Sequence, residues 1–236
     1  MSTPVSVTGD READDPPERR SRPELYSGVP LLGQTRGMKV GLAAIGIGAG
    51  AGPATLRAVA RAADATGFAT LWMGQHVVLF DRHDSRYLYF EQGQFAVPAT
   101  TDWLDPFVAL SAAAAVTSRI RLGTGICLVP QHNPLILAKQ VASLDRLSDG
   151  RFVFGIGIGW LGEEFAALGI PFARSADRTR EYVALMRRLW SEDITTFHGE
   201  FGSVDGVRSF PKPVRGGRLP VVPGGESRAA LARAAE

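Results

Sequence analysis

"RLGTGICLVPQHNP", residues 121–134, changes character part-way along. Its first half, with Ile120 just before it and Leu122, Ile126 and Leu128 inside it, reads as an apolar β-strand. Its end, Asn133 followed by Pro134, reads as a helix start. An asparagine side chain caps free N–H groups, and proline fits the first turn because no N–H is needed there. Leu137, Val141 and Leu144 then recur at helical spacing, and the helix runs out near Gly150. A strand followed at once by a helix is a βα unit. Gly123, Thr124 and Gly125 interrupt the strand, where glycine forfeits packing and costs entropy. Either the strand is weak there, or something approaches its backbone closely.

The same unit recurs on both sides. Upstream, 39–45 is an apolar run, and Pro53 opens a helix whose Leu56, Val59, Ala60 and Ala63 share a face before Gly67 ends it. A second strand covers 69–74. An aromatic-rich segment without clear period, 77–103, leads to Asp105–Pro106, a second cap-then-proline start for the helix 106–117. Downstream, 151–160 is strand four. A short helix at 163–168 and a longer one at 177–190, with Tyr182, Leu185, Met186 and Leu189 inward, come next. Hairpin-like signals fill 193–214, 218–225 is strand five, and "SRAALARAAE" begins a further helix. Five βα units with continuous apolar strands predict a parallel sheet covered by helices. A doubly wound sheet could stop at five strands, whereas a (β/α)8 barrel typically needs ~250 residues, and the pattern alone leaves both open.

Composition narrows the function classes. The 236 residues are 45% apolar and 21% charged, with a formal charge of +2. That balance argues against nucleic acid as a partner. No apolar run approaches the ~20 residues of a membrane span, so no membrane partner is expected. The one cysteine, Cys127, excludes a disulfide framework or a Cys-based zinc site and fits a reducing cytoplasm. Residues 1–37, rich in charge and proline, are expected to be a disordered tail, which leaves 38–236 as the folded domain.

Three glycine clusters stand at strand ends. Gly46, Gly48 and Ala51 fit a dinucleotide fingerprint, but strand two ends in Met73, Gly74, Gln75 and His76, without the acidic residue that fingerprint needs. Gly157, Gly159 and Gly162 fit the spacing but lead into a broken helix. "PGGES", 223–227, is either an anion-binding turn, with free N–H groups and a serine opening a helix, or an ordinary capped turn. Glu163 and Glu164 read as a negatively charged first helical turn. His83 with Asp81 and Asp84 has unconvincing spacing for a metal, and no metal site is expected.

The stretches "MGQHVVLFDRHDSRY" (73–87), the block from "WLDPFVAL" to "EEFAALG" (103–169), "GEFGSVDGVRSFPKPV" (199–214) and "PVVPGGES" (220–227) closely resemble the luciferase-like flavin/deazaflavin oxidoreductases, in particular the coenzyme F420-dependent subgroup. The resemblance spans about 38–236. It implies a TIM (β/α)8-type barrel, of which this chain holds about five βα units and lacks the C-terminal remainder. It implies a cofactor at the C-terminal strand ends, F420 or alternatively FMN, with hydride passing between F420 and a small organic substrate. The alternatives are an FMN-dependent monooxygenase using O2 and a non-catalytic flavin-binding fragment. It places His76 beside the ring as the catalytic group. A non-prolyl cis peptide falls at Gly125–Ile126, with Cys127 next to it. Gly159 and Trp160 form a wall, and Gly224, Gly225, Glu226 and Ser227 form a phosphate-binding turn. The 77–103 loop would cover the substrate, and Gly123 and Gly125 would make room for the ring. The expected partners are a small-molecule substrate and, at most, a second copy of the chain as a homodimer.

Overall fold

A computed structural model describes residues 38–225. The expectations for the 1–37 tail, for Glu226 and Ser227 and for the last helix lie outside the described residues.

The elements follow the expected order. They are β1 (Gly41–Leu42), α1 (Pro53–Thr66), β2 (Thr70–Met73), α2 (Pro106–Ala114), β3 (Arg121–Thr124), β4 (Cys127–Leu128) and α3 (Pro134–Leu147). Then come β5 (Phe152–Gly157), α4 (Gly162–Ala167), α5 (Ser175–Ser191), the antiparallel hairpin β6 (Thr195–His198) and β7 (Ser203–Val207), and β8 (Val221–Pro223). The local start signals act as read. Asp105 accepts from the Val108 N–H at 2.9 Å, and the Asn133 side chain accepts from the N–H groups of Leu135 and Ile136. Gly67 ends α1 at φ 85°, a left-handed conformation that glycine adopts without penalty.

Strand order decides between the two architectures. β1, β2, β3 and β5 lie side by side in parallel. β4 continues the β3 segment and pairs the far end of β5, and β8 adds beside β5. Each new βα unit therefore docks beyond its predecessor, with no reversal of direction. A doubly wound sheet reverses at a switch point; a singly wound order is that of a (β/α)8-type barrel. All six β5 residues are buried, as a strand covered on both faces requires. The core joins Leu71, Met73, Leu122, Phe152 and Phe154 of the sheet to Leu110 of α2, Leu137 and Val141 of α3 and Trp190 of α5. The Trp190 indole N–H is satisfied by the Ala138 carbonyl at 3.0 Å. Among the described residues no helix is long and apolar enough to cross a membrane.

Gly123 has a different cause from the one expected. Trp72 lies opposite Gly123 in the β2–β3 register. A Cβ on Gly123 would come within 2.3 Å of the Trp72 ring, and one on Gly125 within 3.2 Å of the Trp72 Cβ. Cβ atoms at Gly41 and Gly155 would also meet that indole, at 3.0 and 3.5 Å. The close approach is thus made by a large side chain of the neighbouring strand. Small residues around one large one let a curved sheet fill its concave face.

Candidate active site at the C-terminal strand ends

Beyond β2 the chain passes through Gln75 and His76. The His76 side chain is 8% exposed, and its Nδ1 stands 3.3 Å from Oε2 of Glu164, which is fully buried. Glu164 collects three further donors: the Val77 N–H at 2.6 Å, the Val78 N–H at 3.3 Å and Gln131 Nε2 at 3.1 Å. Burial works to raise the Glu164 pKa. The hydrogen bonds from His76, Val77 and Gln131 and the His76 charge outweigh it, holding the carboxyl below its ordinary value. Glu164 is therefore a buried anion saturated by donors. Its place at this centre, like those of Gln75, Gln131 and His132, was not signalled by the sequence.

Glu163 stands with Glu164 in the acidic first turn of α4, as expected, and from there it accepts the N–H groups of Asp84 and Ser85, at 2.6 and 3.1 Å. Burial raises its pKa, but the Ser85 hydroxyl and these amides prevail and take it down to about 2. Ser85 in turn accepts the Gly162 N–H at 2.9 Å. The two glutamates pin both ends of the 76–85 segment onto α4. His83 donates to or accepts from no metal ligand: its Nδ1 meets the Ser85 carbonyl at 2.7 Å, and among the described residues no cluster could hold a metal ion.

The aromatic segment folds back over this centre. Trp160 packs against Tyr87 (5.0 Å between ring centroids), His83 (5.3 Å) and Phe95 (5.5 Å). His76 lies 5.2 Å from Phe95 and 5.0 Å from Trp103, edge-on to the latter. The Trp103 indole N–H donates to the Gly74 carbonyl at 3.1 Å. Gly159, at φ +81°, leaves space that the Phe165 ring occupies, since a Cβ there would be 2.7 Å from it.

The Gly125–Ile126 peptide is cis. Gly125 is exposed, and its N–H donates to the Met73 carbonyl at 2.7 Å. Ile126 reaches sideways into space left by Gly157 and Gly224, whose Cβ atoms would fall 1.9 and 2.7 Å from it. Cys127 is fully buried within the core, and burial, aided by the Asp105 charge, pushes its thiol well up. The whole residue, backbone included, is 0% exposed, so Cys127 is not open to a ligand, contrary to the cofactor-binding place expected of it. Gly224 also departs from expectation: its N–H is already donated to the Ile156 carbonyl at 2.7 Å, so it is not free for an anion. Gly225, at φ 117°, follows it.

A second polar relay lies beneath. Gln75 Oε1 accepts the Leu128 N–H at 2.9 Å, which directs its amide nitrogen at His132 Nε2, 2.7 Å away. His132 Nε2 must therefore be an acceptor. Burial lowers the His132 pKa against the pull of Asp105, in keeping with a neutral ring. Gln131 Oε1 is buried with no hydrogen-bond partner among the described residues.

The chain belongs to the luciferase-like monooxygenase family, whose sequence profile matches residues 38–236. An uncharacterized protein of Mycobacterium tuberculosis is 37% identical over 170 residues, covering 72% of this chain and 60% of that protein. The FMNH2-dependent dimethylsulfone monooxygenase of Pseudomonas fluorescens is 37% identical over 127 residues, 52% of this chain and 34% of that one. An F420-dependent secondary alcohol dehydrogenase, solved with an F420–acetone adduct, shares the fold with a TM-score of 0.66 at 24% identity. That likeness covers 83% of this chain and 55% of the dehydrogenase. The chain thus spans 60% of the length of its mycobacterial relative. The family is described as luciferase-like monooxygenases, and its dimethylsulfone monooxygenase relative is named as FMNH2-dependent.

Proposed function

We propose that this chain carries the cofactor and proton-handling site of an F420-dependent oxidoreductase that exchanges hydride with a small organic substrate. The observation that carries the reading is His76, anchored at Nδ1 by buried Glu164 and walled by Phe95, Trp103 and Trp160 at the strand ends. An exposed glycine backbone at a cis peptide lies nearby: a Cβ on Gly74 would touch both the Gly125 carbonyl, at 3.2 Å, and the Trp103 ring, at 3.5 Å. These groups fit a flat ring system, with open backbone on one side, aromatic walls and one histidine whose Nε2 makes no hydrogen bond among the described residues.

F420, when bound, supplies the ring atom that gives or takes hydride. The chain's own residues do the rest. Gly125 and Ile126 would lie against the ring, and Gly159 and Trp160 would bound it. Gly225, with Glu226 and Ser227, would hold the phosphate end; the Gly224 N–H would stay within the sheet. His76 would give or take a proton at Nε2, and the aromatic segment would keep water from the reacting face.

FMN chemistry with O2 is the second reading, favoured by the 37% identity to the dimethylsulfone monooxygenase. Parallel titration of the purified protein with F420 and FMN tests the choice. Micromolar F420 binding without FMN binding is expected. FMN binding alone would replace the first reading with the second, and binding without turnover of any acceptor would leave a flavin-binding fragment.

A further inference from the structure

Glu164 brings together three βα loops, and the identity of each donor to it can be counted. Oε1 takes the Val77 and Val78 N–H groups, and Oε2 takes Gln131 Nε2 and faces His76 Nδ1. A carboxylate has only acceptor sites. The nitrogen that faces it must therefore carry a proton, and the imidazole has only one other nitrogen. We infer that Glu164 is a positioning residue that fixes His76 as the Nδ1–H tautomer and leaves Nε2 as the one atom able to exchange a proton with a bound substrate. This goes beyond the proposed function and rests on it only for the use made of Nε2; the tautomer itself follows from the donor set.

The same set makes a sharp prediction for Glu164→Gln, which preserves shape. The Val77 and Val78 N–H groups require the amide oxygen at the Oε1 position. The amide NH2 then takes the Oε2 position and faces His76 Nδ1, which must become an acceptor. Gln131 can follow, because its oxygen is the buried atom that now lacks a partner. Rotating its amide would bring that oxygen to the new NH2. The variant can keep every hydrogen bond at this centre while the histidine inverts to Nε2–H. In Ser–His–Asp hydrolases an inverted histidine tautomer costs about 10⁴-fold in kcat, so the fold-neutral swap is a demanding test.

The experiment is ¹⁵N NMR of side-chain-labelled histidine, feasible because the chain has 4 histidines, with the His76 signals assigned by their loss in His76→Gln. Unmodified protein is expected to show pyrrole-type Nδ1 and pyridine-type Nε2 in the neutral ring. Glu164→Gln should exchange the two, and Glu164→Asp should restore the original pattern. F420 titration of the Glu164→Gln variant should stay within about threefold of the unmodified protein, because no ring contact is removed. Retention of Nδ1–H in the folded Glu164→Gln variant overturns the inference. If that variant does not fold, the spectrum of the unmodified protein decides alone, and an Nε2–H tautomer there overturns it. A normal tautomer with no loss of turnover in His76→Ala would instead remove His76 from the proposed chemistry while leaving the positioning role intact.

Discussion

The two ends of the parallel sheet are both closed by a carboxylate that gathers backbone N–H groups, but they differ in what they leave unmade. At the N-terminal ends, Asp64 of α1 accepts the N–H groups of Ser118, Arg119 and Ile120 at 3.2, 2.9 and 2.7 Å. Arg151 donates there to the carbonyls of Ala114, Thr117, Ile120 and Ser148 and to the Thr117 hydroxyl. Every partner is a backbone group or a hydroxyl, so this end ties helix ends to strand starts. At the C-terminal ends, Glu164 accepts two backbone N–H groups and spends its other oxygen on Gln131 and His76. His76 Nε2 makes no hydrogen bond among the described residues, and Gln131 Oε1 is unpartnered. Similar chemistry thus braces the frame at one end and orients a titratable ring at the other. The contrast is the usual division of labour in this fold, with stability at the bottom and chemistry at the top.

Substitutions at each end should separate these roles. The largest effect is expected for His76→Ala, which should lower hydride turnover with F420 about 100-fold or more while the thermal midpoint holds. A turnover within threefold of the unmodified protein would erase the functional half of the comparison. Arg151→Ala should do the reverse, costing about 3 kcal/mol in urea unfolding and leaving F420 affinity unchanged. Loss of affinity without loss of stability would mean the ends are not independent. Gly123→Ala, between the ends, should cost about 2 kcal/mol by driving a Cβ into Trp72. Had these glycines made room for the cofactor instead, affinity rather than stability would fall.

Acid should weaken both ends together. Asp64 and Glu164 are held below their ordinary values: burial opposes this in both, and the amides of Ile120, Arg119 and Ser118 prevail at Asp64 as the His76 hydrogen bond and its companions do at Glu164. Folding therefore favours their ionised forms. Their contribution is complete above about pH 5 and lost as pH falls through the folded-state values. For Glu163 the loss extends down to about 2. Urea unfolding from pH 7 to pH 3 should show stability falling with acid, and Asp64→Asn should flatten the profile. A flat profile in the unmodified protein would contradict both carboxylate networks. The smallest effect is expected for Ser85→Ala, about 1 kcal/mol from loss of the hydroxyl that bonds the Gly162 N–H and Glu163, read as increased proteolytic nicking of 77–95.

Much of the fold was legible because its signals are short-range. Asp105 and Asn133 cap helices through N–H groups two or three residues on, and the proline after each fits the same turn whatever surrounds it. The alternation of apolar strands and helices likewise required only periodicity. Resemblance to the family supplied the barrel, His76 and the cis bond at Gly125–Ile126. Glu164 was read from its neighbours as a charged helical turn. Its partner His76 is 88 residues away, and no spacing in the chain signals a contact that exists only once two strand ends are side by side.

The sequence by itself determined where strands and helices begin, that the strands would be parallel and buried, and which family the chain resembles. The tertiary structure showed directly that the units wind in one direction, which the pattern of strands and helices alone had left open. It also decided that Trp72, not a ligand, fills the space over Gly123, and that the Gly224 N–H belongs to the sheet. The physical reason is the same in each case. Caps and periodicity are satisfied within one turn or one strand, whereas occupancy of a space or of an N–H depends on which distant residue reaches it first.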